Sequence, residues 1–170
     1  MKMNKRAEIM VGMAAGMLWG LALLWVAAQY VTLPVFALMP TIMTAFLLPG
    51  LFMLLVIGRL AQRRYFDDSI IDGQPFAPGS GAAIDQRVLT NTTEQLVLAL
   101  AIWPAAAVLL AGQGPGVIAT LGIGFVIARL LFWVGYHVSP PLRAFGFAAT
   151  FYPTILVALW ALARLVFGGG

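Results

Sequence analysis

Apolar residues run through the chain in five long blocks, at roughly 9–29, 34–58, 92–111, 116–136 and 144–167. Each block is close to the roughly 20 residues that a helix needs to cross a bilayer. In lipid, backbone polar groups must be satisfied within the segment, so each block predicts a transmembrane helix. Pro40, Pro49 and Gly50 interrupt the second block. They predict a kink there, with neighbouring helices covering the freed carbonyls.

Two places break the apolar pattern in an ordered way. The stretch QRVLTNTTEQLVLAL, residues 86–100, puts Arg87, Asn91 and Glu94 at steps of four and three as the third span begins. Those steps place all three on one helix face. The stretch ARLLFWVGYHVSPPLRAFGF, residues 128–147, sets Arg129, Phe132, Trp133 and Tyr136 at i, i+3, i+4 and i+7, again on one face. Pro140 and Pro141 then stop the fourth helix, and Arg143 follows them.

Ionisable groups inside a membrane are costly and point to function. On the residues alone two readings stand. Glu94 and Arg129 pair and join two helices, or the stripes line a pocket for an anion. The added Asn91, Tyr136, Arg87 and Arg143 point to the pocket. Trp133 reads as a packing residue, and Tyr136 alone equally fits an interfacial aromatic.

Composition agrees with the pattern. Of 170 residues, 62% are hydrophobic and 9% charged, with a mean hydropathy of +0.95. This is the composition of an integral membrane protein. The absence of cysteine excludes disulfides, thiolate metal sites and cysteine nucleophiles. The one histidine, His137, excludes a multi-histidine metal site. The basic residues sit at span ends and not in a stripe, so no nucleic-acid partner is expected.

Lys2, Lys5 and Arg6 precede the first span, Arg59, Arg63, Arg64 and Arg87 border the long 59–90 loop, and Arg143 lies in the 137–143 turn. By the positive-inside rule these segments and the N-terminus face the cytoplasm. The first span resembles a signal peptide at its basic start, but its apolar run exceeds a usual signal core, so it reads as a retained helix. Asp67, Asp68, Asp72 and Asp85 in the loop do not have EF-hand spacing, and the loop reads as a solvated connector. No ring of like charges suggests a channel.

These two stretches resemble the MAPEG family, the membrane-associated proteins in eicosanoid and glutathione metabolism. The family pattern Arg-x-x-x-Asn-x-x-Glu reads RVLTNTTE at 87–94. The pattern Ala-Arg-x-x-Tyr-x-x-Gly-Tyr reads ARLLFWVGY at 128–136, with Arg143 seven residues on. GYHVSPPLRAFGF is similar to bacterial members, which implies a bacterial inner membrane as the location. The resemblance implies an all-α integral membrane helix bundle with a four-helix core over 34–167. Residues 1–33 would form an extra N-terminal transmembrane helix outside that core, packing around the assembly or contacting another membrane protein.

It also implies a homotrimer that binds glutathione as co-substrate between protomers, together with membrane lipids and a hydrophobic substrate. Arg87, Asn91, Glu94, Arg129 and Tyr136 would hold the tripeptide, and Arg143 would stabilise its thiolate. The implied activity is glutathione transfer to electrophiles or reduction of lipid hydroperoxides. The rival is a non-enzymatic accessory subunit or lipid-binding scaffold on the same fold. Two positions depart from the pattern: Phe132 replaces a tyrosine, and Gln95 stands where some glutathione-binding members have tyrosine.

Overall fold

The computed structural model describes residues 4–168; Lys2, counted above among the basic residues, lies outside them. Six α-helices form five membrane-length segments, with no strand among the described residues. They are α1 (Lys5–Tyr30), α2 (Leu38–Ala45), α3 (Leu47–Tyr65), α4 (Gly81–Leu109), α5 (Gly114–Val138) and α6 (Pro140–Phe167). The chain is an all-helical membrane bundle.

The predicted kink lies at Phe46, between α2 and α3. Pro49 has no N–H to offer the Ala45 carbonyl. Gly122 of α5 lies so close to that carbonyl that a Cβ would collide with it, so the α5 backbone covers the freed oxygen. The Gly50 N–H resumes the ladder on Phe46 at 3.0 Å.

Helices α3 and α4 run past the apolar blocks. α3 continues to Tyr65 and α4 begins at Gly81, capped by Ser80, whose Oγ accepts from the Ala83 N–H at 3.1 Å. The connector is therefore residues 66–80, shorter than the 59–90 expected. It is also less free than a solvated loop. The Arg64 guanidinium donates to the Ile70 and Gln74 carbonyls at 2.9 and 3.2 Å and lies 4.3 Å from the Phe76 ring centre.

Asp85 is not a connector residue at all. It is buried within α4, where Oδ2 accepts from the Nε of Arg59 and of Arg63 at 2.9 and 2.8 Å. Its Oδ1 accepts from the Trp133 indole at 2.8 Å, so Trp133 does more than pack. The residues read as topology signals and a loop acid thus form one knot that ties α3, α4 and α5 together.

Helix α1 packs along α6. Gly12, Gly16 and Gly20 are buried and recur every four residues, one stripe on the helix. A Cβ on Gly12 would meet the Pro141 carbonyl, one on Gly16 would meet Ala148, and one on Gly20 the Pro153 ring. Small residues let helix backbones approach closely in membranes, where packing rather than hydrophobicity drives association. Further along, Leu24 and Ala27 join the core built by Trp103, Leu121, Phe125 and Val157.

Gly16→Leu should therefore separate α1 from α6 and lower stability by about 1–3 kcal/mol, the usual range for overpacking. Gly58→Ala, which has nothing near its Cβ position, should not. Thermal unfolding in detergent compares them, and equal midpoints would contradict the packing described.

Candidate functional site

At the end of the bundle where α5 turns into α6, four helices line an open cavity of about 490 Å³. This lies within the span of about 300–1,000 Å³ typical of small-molecule sites. Its polar wall is Arg87 and Asn91 from α4, Tyr136 from α5 and Arg143 from α6. Its apolar wall is Phe132, Ala144 and Phe147, with Ile9 and Met13 from α1.

The turn positions Arg143. Ser139 is extended (φ −163°, ψ 148°), as the residue before a proline must be. Pro140 then opens α6, and the Arg143 N–H donates to the Ser139 carbonyl at 3.2 Å. Gly135 allows the Arg143 backbone to press against α5 where any Cβ would clash. The guanidinium carbon comes to 5.0 Å from the Tyr136 ring centre, and that ring meets Phe132 edge-on at 5.2 Å.

Behind the polar wall Arg129 is fully buried. One terminal nitrogen donates to Asn91 Oδ1 at 2.8 Å, and the other to the Gly146 carbonyl at 2.7 Å and Thr150 Oγ1 at 2.6 Å. The guanidinium carbon lies 4.5 Å from the Phe132 ring centre. With its oxygen held, Asn91 turns its amide nitrogen outward, where it donates to Glu94 Oε2 at 3.2 Å.

The expected Glu94–Arg129 ion pair does not form. Three residues beyond Asn91 the helix is about 60° short of a full turn, which carries Glu94 off the α5-facing side and onto the exposed surface of α4. The two charges are joined only through the Asn91 amide. Of the six residues expected at the site, Arg87, Asn91, Tyr136 and Arg143 meet at the cavity, Arg129 stands behind it, and Glu94 lies beside Asn91 but off the wall. Gln95 is buried in the bundle, away from the cavity.

A family model, MAPEG family, matches residues 37–163. The chain belongs to the MAPEG family. No curated protein and no solved structure matches it. The matched span contains the polar wall and its Arg129 support, and it leaves α1 outside. Ile9 and Met13 thus reach the cavity from beyond the MAPEG segment. No cluster of acids and histidine able to hold a metal occurs among the described residues. The guanidinium and amide groups of the polar wall are hydrogen-bond donors, the guanidiniums charged.

Removing Arg129 would leave Asn91 Oδ1, the Gly146 carbonyl and Thr150 without their buried donor. Arg129→Met should lower stability by about 3 kcal/mol, whereas Glu94→Gln should leave the thermal midpoint of the detergent-solubilised protein unchanged. A Glu94→Gln variant destabilised as much as Arg129→Met would point to a direct ion pair instead.

Proposed function

We propose that this MAPEG protein is a membrane-bound glutathione-dependent transferase or peroxidase acting on hydrophobic electrophiles or lipid hydroperoxides. The observation that carries the reading is one cavity lined by two guanidiniums, an amide and a phenol together with apolar side chains. Glutathione is a charged peptide with two carboxylates, an ammonium group and a thiol, and its reaction partner is apolar.

Arg87 suits a carboxylate. Glu94, outside Asn91, suits the ammonium group. A free thiol is mostly protonated at neutral pH, and a guanidinium at close range favours the thiolate, which is the nucleophile. Arg143 takes that role, with the Tyr136 hydroxyl beside it. In transfer, the thiolate sulfur bonds to the electrophilic carbon and the leaving group departs. In peroxide reduction, the thiolate attacks the outer oxygen, the alcohol leaves with a proton, and a second glutathione resolves the sulfenic acid to disulfide and water.

A homotrimer belongs to this reading. Gln86, Thr90, Thr93 and Glu94 lie exposed along α4, and a carboxylate facing lipid is costly. A second copy of the chain covering that stripe removes the cost. The basic end, with Arg59, Arg63, Arg64 and Arg143, is assigned to the cytoplasm of a bacterial inner membrane; a cytoplasmic signal from a C-terminal reporter fusion would reverse this orientation.

A second reading, an accessory or lipid-binding subunit, draws on Phe132, which lines the cavity without the hydroxyl of the family pattern.

Native mass spectrometry should show trimers, and the ultraviolet difference spectrum of added glutathione should show thiolate. Arg143→Ala should keep the trimer and lower thiolate and turnover on an aryl halide on the order of 100-fold, the scale of losing one charge-stabilising donor. Arg143→Lys should fall between, because an ammonium lacks the planar fork. Parent-like Arg143→Ala would make the residue a topology anchor. No thiolate in the parent would put the accessory-subunit reading first.

A further inference from the structure

We infer that α1 supplies the acceptor wall of the cavity, and that Met13, with Ile9 one turn before it, sets the size of the apolar electrophile admitted. This rests on the glutathione reading above.

Three observations meet here. First, Ile9 and Met13 are four residues apart and so share one face of α1, and both line the cavity that holds Arg143 and Tyr136. Second, that face is fixed and not merely nearby. Gly12, between them, presses its backbone on the Pro141 carbonyl and Ala144, within one turn of Arg143. Gly16 repeats the contact at Ala148, so α1 cannot slide or roll without clash.

Third, the cavity is divided by chemistry. The groups able to bind a charged peptide come from α4, α5 and α6, while α1 brings only apolar side chains to it. An apolar molecule approaching a thiolate beside Arg143 therefore lies between Met13 and Phe147. The unbranched, polarizable methionine adapts to irregular shapes, which suits flat aryl halides and unsaturated aldehydes better than one rigid substrate.

The chain contains no cysteine, so Met13→Cys carries the only thiol. Its labelling by an apolar maleimide is followed in the full-length protein, alone, with S-methylglutathione, whose blocked sulfur cannot consume the maleimide, and with S-hexylglutathione, whose alkyl tail stands in for the electrophile. At about ten times its Kd, S-hexylglutathione should slow labelling about tenfold, the vacancy left by mass action. S-methylglutathione, which fills the peptide site without an extended tail, should have little effect. Leu18→Cys, at a position 67% exposed on α1, should respond to neither.

Met13→Trp provides an independent readout. It should lower kcat/KM for the bulkiest of a series of aryl halides about tenfold relative to the smallest, with the glutathione Kd unchanged. If S-hexylglutathione binds by calorimetry yet Met13→Cys labels at an unaltered rate, or Met13→Trp leaves the size preference as it was, the acceptor wall is elsewhere. If S-hexylglutathione does not bind the parent, the glutathione reading falls and the inference with it.

Discussion

The site depends on one buried guanidinium. Arg129 has no exposure, no carboxylate within ion-pair range among the described residues, and neutral acceptors on two helices besides its own. Taking such a group from water costs several kcal/mol unless its donors are met. Asn91, Gly146 and Thr150 meet the terminal nitrogens, while Nε has no acceptor. The arrangement fixes α4 and α6 against α5 and leaves a net positive charge behind the cavity. The same bond that satisfies Arg129 decides which way Asn91 faces.

A second charged knot acts one layer nearer the connector. Asp85 is buried against Arg59, Arg63 and Trp133, and it sets α3 on the α4–α5 pair. The two clusters differ in consequence. Around Asp85 two arginines share one carboxylate oxygen and remain partly exposed, so solvent screens their surplus charge. Around Arg129 nothing screens it. Core packing then follows from both, with Phe52, Val56, Val88 and Phe132 filling the space between the knots and Trp103 with Phe125 filling the far half.

The spans were legible because bilayer thickness and backbone hydrogen bonding leave helices little alternative. The polar stripe was legible because Arg87 and Asn91 repeat at one turn, and because Tyr136 and Arg143 flank a Pro-Pro stop. What was not legible depended on helix rotation and side-chain reach. Glu94 looked equivalent to Asn91 along the stripe, yet three residues on it falls about 60° short of a full turn and so off the α5-facing side. Asp85 looked like a loop acid, although Arg59 and Arg63, one turn apart, were a signal that a carboxylate could sit between them. Gly12, Gly16 and Gly20 were the missed sign that α1 belongs to the bundle. Their spacing marks a helix face that packs backbone to backbone, and it is this contact that brings Met13 to the cavity.

The account rests on the cavity taking glutathione, and calorimetric titration of the detergent-solubilised protein with glutathione tests this most directly. The account predicts saturable heat in the parent and its loss in Asn91→Leu, which removes the amide held by Arg129. A parent that gives only the heat of dilution would contradict it.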